Sequence, residues 1–153
     1  MYENQYEVIG MIIENVQNIE YQLIRGIKLY KLNSLFEKYK HVSPYLFQKV
    51  DLETKKLAEE MANMTFGQLM GIIRKQDFLS TDDMDYLESL LSKRNQLVHQ
   101  YFKYNEMNQS DTISKFNYLQ NFFQESKSFS EYIKEIVDEL ENDLSLATKQ
   151  KGN

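Results

Sequence analysis

Several residue types that shape fold and chemistry are scarce in this 153-residue chain. Cysteine is absent, which excludes disulfides, thiol catalysis and cysteine-ligated metals. One proline and five glycines occur, and such sparse punctuation favours long helices over strands joined by turns. The N-terminus has no basic-then-apolar signal pattern, and no apolar run approaches the roughly 20 residues that span a bilayer. We therefore expect a cytoplasmic, helical protein that makes no membrane contact.

Basic charge is also in short supply. The chain has 18 Lys and Arg against 23 Asp and Glu, and its formal net charge is −5. An acidic protein repels a polyanion over most of its surface, so any contact with nucleic acid has to be local. The chain contains no HExxH, no Glu-x-x-His and no cofactor-binding motif. We expect neither a bound metal nor a cofactor.

Helical periodicity dominates what is present. Apolar residues recur every three or four positions, which is typical of amphipathic helices. The predicted helices cover about 3–39, 52–61, a short segment capped by Thr65, about 80–101 and 112–146. The apolar phase is interrupted near 126–130, so the last segment is either one kinked helix or two helices. We expect an all-α, antiparallel bundle of four to six helices, with one domain over 1–148 and a disordered tail at 149–153.

One arginine stands among apolar residues in the fourth predicted helix. Winding that helix at about 100° per residue places Arg94 near the middle of its apolar face. That face contains Met84, Leu87, Leu90, Leu91, Leu97, Val98, Tyr101 and Phe102. A guanidinium there costs free energy unless it is paired or solvated. Arg94 can pair with a carboxylate of another helix, extend to the surface along its aliphatic stem, or line a wet cleft that takes an anion.

Two polar residues lie beside that face and complete a motif. Asn95 and His99 are spaced i, i+4, so their side chains are neighbours on the helix. Arg94-Asn95, three further residues and His99, in a small all-α chain, resemble the motif of the HEPN superfamily. Its hallmark is an arginine, usually followed by a polar residue, and a histidine a short gap later. Gln100-Tyr101 matches the longer form found in toxins of HEPN–MNT toxin–antitoxin pairs.

The resemblance implies a helical bundle that dimerises and brings two copies of the motif into one cleft. Many such proteins are metal-independent endoribonucleases in toxin, phage-defence or RNA-processing systems, whereas others have lost catalysis and only bind. It therefore implies RNA as the substrate and a homodimer as the assembly. An antitoxin or other partner protein, and modification of Tyr101 as a silencing device, are open by analogy.

The chemistry of RNA cleavage suggests a role for each motif residue. Attack of the 2′-hydroxyl on phosphorus needs a base, an acid for the leaving 5′-oxygen and a cation for the extra negative charge. His99 suits acid–base work near neutral pH, and the fork of Arg94 suits two phosphate oxygens. Asn95 can orient His99 or donate to phosphate. Tyr101 can stack on unpaired bases, and Lys103 can contact a phosphate.

The scarcity of histidine favours a site made by two chains. Only His41 and His99 occur, and His41 has no partner motif near it. A two-fold dimer would supply two His99 side chains to one site. Two alternatives stay open: a catalytically silent HEPN-like binding or dimerisation module, and an unrelated helical interaction protein. In the first alternative Arg94 and His99 are paired with carboxylates or blocked. In the second a buried Asp or Glu neutralises Arg94, and His99 faces solvent far from its symmetry mate.

Overall fold

The computed structural model describes residues 4–61, 63–64, 66–99 and 112–151. Within these ranges the chain forms five helices and no strand. They are α1 (Gln5–Tyr39), α2 (Pro44–Met61), α3 (Phe66–Arg74), α4 (Thr81–His99) and α5 (Thr112–Lys151). The predicted all-α bundle of four to six helices is confirmed. No helix in the described ranges combines the length and the apolar composition needed to cross a membrane.

Local hydrogen bonds fix both ends of α1. Asn4 precedes the helix with extended backbone, and its Oδ1 accepts from the N–H of Glu7 at 3.0 Å. This bond satisfies one of the N–H groups left unpaired at a helix start. At the other end Lys40 takes the left-handed conformation (φ 58) and donates its N–H to the carbonyl of Phe36. The observed helix agrees with the predicted segment 3–39.

Serine caps begin α2 and α4. The Oγ of Ser80 accepts from the N–H of Asp83 at 3.1 Å, which confirms the predicted start of α4. The Oγ of Ser43 accepts from the N–H of Leu46 at 3.2 Å, and Pro44 follows as the first residue of α2. Proline fits this position because the first helical residue needs no hydrogen-bonded N–H. The second helix therefore begins at Pro44, which the sequence places at the first turn of a new segment, and not near residue 52 as predicted.

The two longest helices, α1 and α5, pack side by side and run in the same direction. Asn15 Nδ2 lies 3.1 Å from Ser126 Oγ, and further along Gly26 packs against Val137. Residue numbers thus rise together on both helices, which makes this pair parallel. The predicted antiparallel arrangement does not hold for α1 and α5.

The fourth helix runs opposite to α5. Near its start Asp83 accepts a hydrogen bond from Tyr132, and near its end Lys93 pairs with Glu125. Residue numbers rise on α4 as they fall on α5, so α4 is antiparallel to α5 and hence to α1. The centre of the molecule is therefore a group of three helices, α1, α4 and α5.

A single apolar core joins these helices with α3. Its fully buried members include Ile12, Ile19, Leu23, Ile73, Leu87, Leu90, Leu91, Leu119, Phe122 and Ile133. Burial of each such side chain stabilises the fold by about 1.5–3 kcal/mol. Tertiary packing, more than intrinsic helix propensity, thus holds α4 and its motif in place.

The interruption in the apolar pattern of α5 is a buried polar residue. Ser126 is fully buried, accepts from Asn15 Nδ2 and donates from its own Oγ to the carbonyl of Phe123 at 3.0 Å. These bonds satisfy the hydroxyl inside the core, so a single helix passes through the segment 126–130. The helix continues to Lys151, into the segment 149–153 for which we expect a disordered tail.

Candidate functional site

Arg94 lies on the face of α4 that packs into the core. Leu87, Leu90, Leu91 and Leu97 on this face are buried, whereas the side chain of Arg94 is 35% exposed. Its Nη2 donates to Oε1 of Glu20 on α1 at 2.8 Å. Of the three explanations left open by the sequence, the ion pair with a carboxylate of another helix is the one present.

This ion pair lies at the edge of the core. Glu20 has a side chain 22% exposed, so water reaches both charges and screens them. A guanidinium has five N–H donors, and in the described part of the chain Arg94 uses its donors for two hydrogen bonds. Donors remain with which Arg94 can bind an anion.

The side chain of Asn95 forms a hydrogen bond with Arg94 in this structure. It is half-buried, and its Oδ1 accepts from Arg94 Nη1 at 3.1 Å. No hydrogen bond joins Asn95 to His99 among the described residues. The amide therefore helps to fix the guanidinium and does not orient the imidazole. Glu20 and Asn95 together hold Arg94 from two sides.

His99 is the last residue of α4 and is exposed. Within the described ranges its imidazole makes no hydrogen bond and no ion pair. Val98 beside it is 52% exposed, although helical periodicity predicts this residue on the apolar face. The last turn of α4 thus lies at the edge of the core. Leu97 is buried there, whereas the aliphatic Val98 and the imidazole of His99 face solvent.

The structure does not bring every predicted site residue together. Arg94 and His99 are five positions apart and point about 140° apart around the helix, and no contact joins them. Tyr101 and Lys103, predicted to contact bases and phosphates, lie outside the described residues. His41 is exposed on the connection between α1 and α2, about 28 Å along α1 from Glu20. This histidine is remote from Arg94.

The lysine next to Arg94 in the sequence pairs with α5 and not with α1. Lys93 Nζ lies 2.8 Å from Glu125 Oε2 on α5, and this hydrogen bond raises the pKa of Lys93 above its usual value. Tyr118 and Tyr86 lie close enough to add to the effect, and burial raises the pKa of each phenol. Lys93 therefore stays charged and ties α4 to α5, and its charge is not directed toward the Arg94 site.

Glu20 is the site residue that the sequence reasoning did not name. Its only signal is position, since it borders the apolar stripe of α1 between Ile19 and Leu23. Two surface grooves among the described residues lie away from Arg94, one between α2 and α3 and one between α3 and α4. Within the described residues no three His, Asp or Glu side chains group as metal ligands.

Comparisons with protein-family models, with curated proteins and with solved structures find no match for this chain.

Proposed function

We propose that this protein is a metal-independent endoribonuclease of HEPN type, in which Arg94 and His99 of two chains act in a shared dimer cleft. The observation that carries the proposal is the last part of α4. An exposed histidine lies there about 7.5 Å along the helix axis from an arginine that is partly solvated and held by Glu20 and Asn95. These side chains supply a proton-transfer group and a fixed cation, which cleavage of RNA by its own 2′-hydroxyl requires.

The proposed reaction is a transesterification followed by product release. His99 of one chain takes the proton of the 2′-hydroxyl, and the 2′-oxygen forms a bond to phosphorus. Arg94 stabilises the extra negative charge on the phosphorane through two N–H donors. The bond from phosphorus to the 5′-oxygen then breaks, and His99 of the partner subunit gives its proton to that oxygen. The products are a 2′,3′-cyclic phosphate and a 5′-hydroxyl.

The geometry of α4 favours two chains over one. Arg94 and His99 point about 140° apart around a straight helix, so a single chain does not direct both at one phosphate. A two-fold partner packed on the exposed Val98–His99 turn would bring the second imidazole to the first. The exposed valine is the kind of side chain that such a seam buries.

The bond between Arg94 and Glu20 is weak enough to yield to a phosphate. A partly exposed ion pair contributes about 0–1 kcal/mol. An arginine–phosphate contact makes two parallel charge-assisted hydrogen bonds, whereas Arg94 and Glu20 make one. Exchange of the carboxylate for the phosphate is therefore favourable at this site. Glu20 holds the guanidinium in place until the substrate arrives.

The same ion pair favours a second candidate, a catalytically silent HEPN-like module for binding or dimerisation. In this case Glu20 neutralises Arg94 permanently, and the acidic balance of the chain keeps RNA away. An unrelated helical interaction protein would contain the same pair and an equally exposed His99. An antitoxin or other partner protein is compatible with all three functions.

The proposal is tested by incubating the purified chain with end-labelled single-stranded RNA in excess EDTA. We expect cleavage that survives the chelator and leaves 2′,3′-cyclic phosphate ends, identified by their resistance to phosphatase until acid opens the ring. A matched oligonucleotide with 2′-O-methyl groups should stay intact because it lacks the nucleophile. Absence of cleavage across a set of single-stranded and structured RNAs, or cleavage of the methylated strand, would contradict the proposal.

The shared cleft is tested separately by cross-linking. Because the chain has no cysteine, Val98→Cys introduces a unique thiol at the proposed seam. A short bis-maleimide should then link two chains covalently. Lys75→Cys, at an exposed position just after α3, serves as the matched control and should not cross-link. Equal cross-linking of both variants, or RNA cleavage by a chain that sediments as a monomer, would rule out the shared cleft.

A further inference from the structure

A stripe of four residues along the solvent-facing side of α2 has no part in the proposed site. Tyr45, Lys49, Leu52 and Lys56 are all exposed and follow one another at spacings of four, three and four positions. At about 100° per residue these spacings place them within about 60° of one another around the helix. We call these residues the α2 outer stripe, and it extends for about 16 Å along the helix axis.

The lysines of the stripe have no carboxylate partner in the described part of the chain. Lys49 and Lys56 make no ion pair and no hydrogen bond there. Lys55, one position before Lys56 but off the stripe, behaves differently, since its Nζ lies 3.0 Å from Asp51. Glu53, four positions after Lys49 and three before Lys56, is directed to Lys31 on α1, whose Nζ lies 4.0 Å from its Oε2. Lys49 and Lys56 form a local positive strip on an acidic protein.

The helix itself adds to this strip. The first turn of α2 contains no acidic residue, so nothing offsets the positive end of the helix dipole beside Tyr45. Lys38 and Lys40 lie just before α2 in the chain. Their positive charges at this place are explained by the α1 dipole, whose negative end they compensate. That explanation does not extend to Lys49 and Lys56, which lie inside α2. Glu59 and Glu60 bound the positive strip at the far end.

Tyr45 places an aromatic ring at the N-terminal end of the stripe. This residue is 73% exposed. Lys49 follows four positions later, so its ammonium is a neighbour of this ring on the helix surface. An exposed ring face next to a cation provides a stacking platform for an unpaired base.

We infer that the α2 outer stripe binds single-stranded RNA, with a base stacked on Tyr45 and phosphates on Lys49 and Lys56. The identity of the nucleic acid rests on the proposed function. An alternation of ring, cation, aliphatic side chain and cation suits a strand in which bases and phosphates alternate. A membrane surface would need a broad apolar face, and Leu52 is the one aliphatic member of the stripe.

The stripe lies on a different part of the molecule from His99. α2 packs on the C-terminal half of α1, through Lys28 and Asp51, whereas Arg94 packs on Glu20 nearer its N-terminal half. RNA bound to the stripe is therefore held at a distance from the bond that is cut. Loss of the stripe should raise the KM for a long RNA and leave kcat unchanged.

Binding is measured with a fluorescent 2′-O-methyl oligonucleotide of about 12 nucleotides, a length within the range of known single-strand sites, which the chain cannot cleave. Fluorescence anisotropy should show about tenfold weaker binding for Tyr45→Ala, the loss expected for one base–ring stack. For Lys49→Ala with Lys56→Ala, the slope of log affinity against log salt should fall by about 1.4, or about 0.7 for each phosphate contact. Tyr6→Ala, at a tyrosine 67% exposed, and Lys127→Ala, at an exposed lysine, are the matched controls and should bind as the parent does.

The possible outcomes separate this inference from the proposed function. If the parent protein binds the oligonucleotide through the stripe but cleaves no RNA, the inference about the stripe is supported and the proposed ribonuclease function is contradicted. If the parent protein cleaves RNA but the Tyr45 and lysine variants bind the oligonucleotide as well as the parent does, the inference about the stripe is overturned. The proposed ribonuclease function then still stands. No binding by the parent protein also overturns the stripe. Stripe-dependent binding to phosphatidylserine vesicles without binding of the oligonucleotide would assign the stripe to a membrane and likewise overturn the inference.

Discussion

Replacement of Arg94 by methionine should slow RNA cleavage by about 100-fold or more and leave the fold almost as stable as before. Methionine keeps an unbranched apolar stem for packing against α1, but it loses the charge and the N–H fork. The change removes the ion pair with Glu20 and the hydrogen bond to Asn95. Glu20→Gln is the matched change on the other side of the pair, since it keeps shape and removes the charge.

The size of the stability change follows from exposure. With side chains 35% and 22% exposed, the pair is screened, and its coupling free energy should be about 0.5–1 kcal/mol. For a chain of this length that corresponds to a shift of about 2–4 °C in Tm per kcal/mol. By comparison, Leu91→Ala in the buried part of the same helix should cost about 2–5 kcal/mol. Loss of the cation from the transition state should reduce kcat by about 100-fold or more.

A double-mutant cycle combines these changes with two readouts. Urea unfolding gives the free energy for the parent, R94M, E20Q and R94M/E20Q, and cleavage of labelled RNA gives the rate for each. We expect E20Q to cleave, with slightly tighter RNA binding because a competing carboxylate is gone. A coupling free energy above about 3 kcal/mol would refute the reasoning, since it would mark a buried structural pair. Full cleavage by R94M would refute the assigned role of Arg94.

Three further predictions concern the packing of α1 and α5. Gly26→Ala places a Cβ 2.8 Å from the ring of Phe78, an overpacking that costs about 1–3 kcal/mol against about 1 kcal/mol gained in helix propensity. Urea unfolding should therefore show no stabilisation, and a gain of about 1 kcal/mol would contradict this close approach. Ser126→Ala should cost about 1–2 kcal/mol because it leaves the amide of Asn15 without its buried partner, and a neutral result would contradict that role. The hydrogen bond from Arg25 holds the pKa of Asp138 below its usual value, so the folded state binds this proton less tightly than the unfolded state. Its stabilisation is complete above about pH 4, the range of an unfolded aspartate, and is lost as pH falls toward the lower folded pKa. In Asp138→Asn the free energy of unfolding should therefore fall less steeply as the pH is lowered below about 4. The same fall as in the parent would count against the hydrogen bond between Arg25 and Asp138.

Local signals predicted most of the helices because their causes lie within a few residues. Ser80 starts α4 through a bond to a neighbour three residues away, and sequence spacing alone identifies such a cap. The start of α2 was missed because Tyr45 and Phe47 are exposed, so the first turns of that helix show no buried apolar stripe. The parallel course of α1 and α5 depends on how distant segments pack, which periodicity does not encode.

In the candidate site, too, local features were predicted from the sequence and contacts between distant segments were not. The place of Arg94 on the apolar face of α4 follows from helical geometry, and the structure bears it out. Its partner Glu20 could not be chosen from the acidic residues of the chain, because the pair joins positions 74 residues apart. Val98 was expected on the apolar face and is exposed, although Leu97 beside it is buried, so the core covers the side of this turn on which Leu97 lies and not that of Val98.

The most direct measurement compares two exposed histidines of the same chain. Cleavage of labelled RNA by His99→Ala and by His41→Ala is followed at equal protein concentration, with Tm measured for each to confirm folding. We expect His99→Ala to lose cleavage with an unchanged Tm, because its imidazole is exposed and makes no hydrogen bond or ion pair with other described residues. His41→Ala should cleave as the parent does. Full activity in His99→Ala, or equal loss in both variants, would contradict a catalytic site at the end of α4.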